Sequence, residues 1–373
     1  MAVFTPRRPG ARASTTPLAE AGADPATPLL HVKDLVTQFP TKNGWLTAVN
    51  HVSYELEAGR VLCVLGESGS GKSAMLRTIL GLQPKHAHIE GEVVLRGQDL
   101  IAMSSAEREA IRGSWVSMVF QDPMTALDPV YTVEQQLVET IRRHDDLSKS
   151  EAVDRAMELL NLVQIPSPER RLKAYPFELS GGMRQRIVIA LALVSNPSLL
   201  LADEPTTALD VTVQARVLDL FRDLKDRLGM GVIFVTHDLS VAAEIADDIA
   251  VMYAGRIVER GTVEEIVSNP QHPYTQGLLG ANVRPGQDER PLAIKGSPPN
   301  LANLPPGCSF APRCAMVQDS CWGSMPELIE VSPHHDLRCP VVSSAPATGT
   351  TTSAVAGTTI GDPVVDAEAT GTH

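Results

Sequence analysis

Long apolar runs are missing from this 373-residue chain. The densest, Ile187 to Val194, holds eight residues, against the about 18 that a membrane-spanning helix requires. Any membrane role must therefore come through a partner. Aromatic residues are scarce at 4%, so aliphatic side chains must fill whatever core the 43% of apolar residues can build. A basic excess is missing too. Lys and Arg number 32 against 44 Asp and Glu, a net charge of −12. That argues against a general nucleic-acid binder, which needs a basic face to displace counterions, and leaves room only for a local basic patch. The N-terminus lacks the apolar core of a secretory leader. Arg7, Arg8 and Arg12 imitate an organelle transit peptide, but Glu20, Asp24 and five prolines before Leu29 fit a disordered lead-in better. The chain reads as soluble and intracellular. Cysteine is sparse: Cys63 stands alone in an apolar run, and Cys308, Cys314, Cys321 and Cys339 crowd near the C-terminus. In a reducing compartment such a cluster favours a metal over disulfides.

What is present falls into two compositions between two tails. Residues 1–28 and 341–373 lack periodicity and read as disordered. From 29 to 265, short apolar runs alternate with helical patterns, which predicts an α/β domain. Arg60 to Leu65, Leu199 to Ala202 and Gly231 to Val235 read as strands of a parallel sheet covered on both faces. Ile249–Tyr253 and Arg256–Glu259 flank Ala254-Gly255 as a hairpin would. Between 122 and 180 the pattern turns helical. Ser148-Lys-Ser-Glu151 is a capping box that opens a stripe of Val153, Met157 and Leu160, so this stretch reads as a helical insertion. Residues 266–340 form a second, smaller unit. Ten prolines between 281 and 340 leave no place for long helices or central strands, and the four cysteines are the staple such a stretch needs.

Gly66-Glu67-Ser68-Gly69-Ser70-Gly71-Lys72-Ser73 follows the first of those strands and precedes the helix-compatible run Ala74 to Leu80. This is the phosphate-binding loop pattern in its required context of strand, loop and helix. Its glycines let consecutive amides turn inward as an anion nest, and the helix N-terminus adds its dipole. Lys72 reaches the β- and γ-phosphates of a nucleotide and Ser73 ligates Mg²⁺. Leu199-Leu-Leu-Ala-Asp203-Glu204 places two carboxylates at the C-terminal end of a buried strand, the edge where open α/β sheets bind ligands. There Asp203 suits the Mg²⁺ and Glu204 suits the polarisation of an attacking water.

Leu179-Ser180-Gly181-Gly182-Met-Arg-Gln185 lies between these motifs and opens a helical run. It resembles the signature motif of ABC-type ATPases, and other elements fall in that family's order. Gln121 resembles the Q-loop, Ala208-Leu209-Asp210 the D-loop, and His237 the H-loop histidine. Phe39 is the better match, and Trp45 the weaker, for the aromatic that stacks on adenine. The resemblance implies catalysis by Glu204, His237 and Gln121 and Mg²⁺ at Ser73, Gln121 and Asp203. It also implies head-to-tail pairing, in which Ser180, Gly181 and Gly182 contact ATP bound by a second ATPase subunit.

Three further segments are similar to the oligopeptide/dipeptide importer branch. They are Gln121-Asp-Pro-Met-Thr-Ala-Leu-Asp-Pro129, His272-Pro-Tyr-Thr275 with Leu278-Leu279, and the box from Pro305 through Cys308 and Cys314 to Cys321 and Cys339. This resemblance implies a P-loop nucleotide-binding domain with a helical subdomain and a small cysteine-box domain. It implies a paralogous ATPase partner, two transmembrane permeases and an extracytoplasmic peptide-binding protein, with this chain on the cytoplasmic face of the membrane. It also favours a [4Fe–4S] cluster on the four cysteines, with zinc, aided by His334 or His335, as the alternative. A related importer of nickel or another small solute, and a soluble ABC ATPase acting on DNA or ribosomes, are the rival functions.

Overall fold

The computed structural model describes residues 27–207, 209–281 and 294–342. Apart from four residues, the tails expected at 1–28 and 341–373 lie outside these, as does Ala208 of the D-loop segment. The strands are β1 Leu30–Thr41, β2 Gly44–Leu56, β3 Val61–Leu65, β4 His88–Leu95, β5 Gln98–Asp99, β6 Val116–Val119, β7 Leu199–Asp203, β8 Gly231–Thr236, β9 Asp248–Tyr253, β10 Arg256–Thr262, β11 Ile329–Ser332 and β12 His335–Leu337. The helices begin with α1 Lys72–Ile79, α2 Ser105–Ile111 and α3 Pro123–Ala126. Next come α4 Val133–His144, α5 Lys149–Leu162, α6 Pro168–Leu172 and α7 Gly181–Ala192. The last are α8 Val211–Leu228, α9 Leu239–Ile245, α10 Val263–Ser268, α11 Pro273–Ala281 and α12 Ser320–Gly323.

Eight strands form the central sheet in the order β11-β12-β10-β9-β3-β8-β7-β6. From β9 to β6 the neighbours are parallel. Every residue of β3, β7 and β8 is buried, which explains their unbroken apolar runs. Alternate residues of β3 serve two cores, as the two-residue period of a strand requires. Val61, Cys63 and Leu65 pack with α4, α5, α7 and α8, whereas Leu62 and Val64 pack with α1 and the first two strands. The hairpin turns at Ala254-Gly255, both with positive φ (49° and 83°), as a two-residue turn of the primed type demands.

Helices α3 to α7 occupy the span between β6 and β7. The capping box at Ser148 is formed, but the buried face of α5 is Ala152, Ala156, Leu159 and Leu160. Val153 and Met157 of the expected stripe flank it, half-buried. A four-stranded antiparallel sheet, β2-β1-β4-β5, was not legible in the sequence. Register shifts between Val32 and Leu35, Leu35 and Thr37, and Thr37 and Gln38 break the alternation that would reveal it.

The C-terminal region differs from expectation in one respect. Its strand β12 pairs with β10 and so enters the central sheet, with β11 beyond it at the edge. Prolines do not prevent this, because Pro333 and Pro340 bracket the three-residue strand instead of interrupting it. Among the described residues no helix is long and apolar enough to cross a membrane.

Candidate nucleotide site and cysteine cluster

The phosphate loop leaves β3 at Gly66 and enters α1 at Lys72. Gly71 has φ 105°, and a Cβ there would run into the Ala48 carbonyl of β2, so only glycine permits this approach. Lys72 Nζ donates to the Gly66 carbonyl at 2.7 Å and the Glu67 carbonyl at 2.9 Å. Burial pushes this ammonium below the usual lysine value, against the pull of Glu204 and Asp203. Ser73 Oγ donates to Asp203 Oδ1 at 2.9 Å, which brings the loop and the end of β7 together. Burial raises Asp203, and the Ser73 hydrogen bond opposes the rise.

Glu204 follows β7 with φ 47°, a left-handed backbone that is uncommon outside glycine and that clusters at functional sites. The amide of Glu204 donates to the Val235 carbonyl of β8 at 3.0 Å, which holds this turn against the sheet. Three side chains converge on its Oε2. Gln121 Nε2 donates to it at 3.1 Å, Thr207 Oγ1 donates at 2.9 Å, and His237 Nδ1 lies 3.3 Å away. Thr207 was not among the expected site residues. Its position three residues after Glu204, closing a turn with Thr207 N–H on the Glu204 carbonyl at 3.2 Å, is the signal that would have found it. Lys72, Ser73, Asp203, Glu204, Gln121 and His237 thus share one edge of the parallel sheet, and their oxygens and nitrogens suit a phosphate and a hard cation.

Ser180 caps α7 by accepting from the Met183 amide at 3.4 Å, and Gly181 and Gly182 open that helix. Among the described residues no hydrogen bond joins 180–182 to the phosphate loop. Asp210 caps α8 through the Val213 amide at 3.0 Å. Phe39 is half-buried in β1 opposite Leu46, and Trp45 is exposed beside His88.

The four C-terminal cysteines converge. Cys308 and Cys314 each feel the charges of both Cys321 and Cys339, and the Cys308 amide donates to the Cys321 carbonyl at 2.8 Å. Burial pushes the Cys308 thiol up to about 11 and raises Cys314, while the Phe310 and Met316 amides aimed at these sulfurs work in the opposite direction. Among the described residues no three ligating groups stand close enough to share one metal ion. His335 is committed elsewhere, with Nε2 on Glu259 at 2.8 Å. The zinc set that draws on His335 therefore does not form among the described residues.

These features together define a phosphate-loop cassette of the ABC type. The family model described as "ABC transporter" matches residues 49–207, and that described as "Oligopeptide/dipeptide transporter, C-terminal region" matches 258–321. The oligopeptide transport ATP-binding protein OppD of Mycobacterium tuberculosis is 49% identical over 316 residues, 84% of this chain and 52% of that one. The chain thus spans about half the length of that relative. A putative peptide import ATP-binding protein of Brucella melitensis is 48% identical over 84% of this chain and 96% of its own. Among solved structures, a dimeric post-hydrolysis state of the ATP-binding cassette MJ0796 bound to ADP and Pi superposes with a TM-score of 0.57. It is 29% identical and covers 63% of this chain and 98% of that one. The chain belongs to the ABC transporter family, in its group of peptide-import ATP-binding proteins.

Proposed function

We propose that this protein hydrolyses MgATP to ADP and phosphate and so powers import of oligopeptides or dipeptides through a membrane complex. The observation that carries this reading is the convergence of Gln121, Thr207 and His237 on the Glu204 carboxylate beside the Lys72 loop. Glu204 Oε2 would accept a proton from the attacking water, with Gln121 and His237 orienting it. The amides of residues 66–73, with Lys72, would cradle the phosphates, and Ser73 and Asp203, with Gln121, would hold Mg²⁺. Ser180, Gly181 and Gly182 would act on ATP held by a second ATPase subunit, a paralogue of this one. Phe39 would stack on adenine.

Exposed apolar side chains favour a permease partner. Phe120 and Met124 flank Gln121, and Val130 and Tyr131 stand before α4. Phe177, stacked on Tyr175, precedes Ser180. Such a group on a soluble face marks a docking surface. Two permeases and an extracytoplasmic peptide-binding protein would complete the assembly at the cytoplasmic side of the membrane. The ATPase unit would run from 29 to 265 and the cysteine unit from 266 to 340. Cys308, Cys314, Cys321 and Cys339 would hold a [4Fe–4S] cluster, which when bound would tether four loop positions to one group. The decisive experiment is uptake of a labelled peptide by liposomes carrying the full complex, with phosphate release measured in parallel. Peptide-stimulated, MgATP-dependent uptake supports the reading; uptake of nickel but not peptide overturns the substrate.

A further inference from the structure

The Glu67 carboxylate sits one residue into a loop built to receive an anion. Lys72 binds the Gly66 and Glu67 carbonyls, not this carboxylate. The group that neutralises it comes from the far end of the sequence. Arg313 Nη1 and Nη2 donate to Glu67 Oε2 and Oε1 at 2.7 and 2.9 Å, a fork-on-fork pair. The same guanidinium donates through Nε to the Lys295 carbonyl at 3.0 Å, and Nη1 also reaches Tyr253 Oη at 3.3 Å. The Arg313 side chain is 7% exposed. A second grip lies alongside, where Tyr274 Oη accepts the Glu67 amide at 2.9 Å. Tyr274, Tyr253 and Phe310 pack as three rings with centroids 4.6 to 5.4 Å apart, so the guanidinium is braced from three segments of the chain. The charge of Glu67 is among those that act on the Lys72 ammonium.

We propose that Arg313 is a positioning residue of the nucleotide site: it neutralises Glu67 and holds that carboxylate off the path of the triphosphate, so residues 294–342 complete the phosphate cradle. The proposal rests on the reading of residues 66–73 as the ATP site. It follows from charge. A carboxylate released beside the nest repels an incoming polyanion, and partial burial leaves that repulsion poorly screened.

The test is the Kd of the full chain for a fluorescent MgATP analogue. Absence of binding by the unaltered chain would sink the ATP-site reading rather than the role of Arg313. Given binding, R313A is expected to raise Kd about tenfold, since a hydrogen-bonded charge is lost. Adding Glu67→Gln to R313A is expected to bring Kd back to within about threefold of the unaltered chain, because the amide no longer repels phosphate, and the R313A defect should shrink at high salt. Two results overturn the proposal: a Kd for folded R313A within about twofold of the unaltered chain, or a double variant as weak as R313A, which would mean a merely mechanical latch. If R313A does not fold, R313Q replaces it in both arms, with the same outcomes.

Discussion

Two regions of this molecule are held in place by different physics. The edge that carries Lys72, Asp203 and Glu204 rests on β3, β7 and β8, strands buried along their whole length. Residues 294–342 hold only short elements: a three-residue 3-10 turn, a four-residue helix and strands of four and three residues. Phe310 sinks into the main core, and polar side chains supply the other anchors. Arg313 reaches Glu67, His335 reaches the fully buried Glu259, and Arg338 donates to the Ile257 and Pro326 carbonyls at 2.9 and 2.8 Å. Apolar burial is non-directional and tolerates exchange at equal volume. A buried charged link fixes register but fails sharply when one partner is removed. The first region should therefore lose function with little loss of fold, and the second should lose fold first.

The largest effect that would sharpen this contrast is at Glu204. E204Q is expected to reduce phosphate release by the assembled complex about 10²- to 10⁴-fold, the range of a general base, with ATP binding kept. Ordinary turnover would remove Glu204 from the chemistry. Next, H335A is expected to destabilise the C-terminal region by about 3 kcal/mol, because Glu259 stays buried with only the Gln271 and His272 amides. Limited proteolysis of 294–342 reads this, and a chain as resistant as the unaltered one would break the comparison. The same pair has a pH signature. Burial pushes His335 down, but the hydrogen bond and charge of Glu259 outweigh it and leave the imidazole raised. Its stabilisation is complete below the ordinary histidine value and is lost as pH rises through the raised one. A melting temperature flat across that interval would refute it.

Smaller effects belong to the sheet edge. T207V removes one of three partners from Glu204 Oε2 and is expected to lower kcat about fivefold, the worth of a hydrogen bond near 1 kcal/mol, with KM little changed. An unchanged kcat would make Thr207 a turn residue only. Because Asp203 is raised, Mg²⁺-dependent nucleotide binding should weaken on acidification at a higher pH than an ordinary aspartate would give. Binding that persists down to the usual aspartate value would show otherwise.

The same contrast explains what could be read in advance. The phosphate loop, Asp203-Glu204 and the β9–β10 hairpin are local: each signal lies within one short stretch of chain and states its own backbone. Gln121 and His237 were placed by motif order, and they do meet at Glu204. Arg313, by contrast, meets Glu67 across 246 positions, and no periodicity or spacing encodes a partner so distant. The reading of 266–340 as a unit apart from the phosphate loop missed this link for the same reason. The antiparallel sheet of β1, β2, β4 and β5 was hidden because bulges shift its alternation. A strand as short as β12 carries too few residues to show any period at all.

The pairing of β12 with β10 has a consequence for synthesis. About 70 residues separate the end of β10 from the start of β12, roughly 4 to 14 seconds at about 5–20 residues per second on the ribosome. Through that interval the nascent cassette presents β10 as an open edge, the kind of template on which chains aggregate. Messages truncated within that stretch would leave the edge open permanently. Phe310, part of the main core, also arrives only within that stretch, so solubility would depend on whatever covers β10 until the final strand emerges.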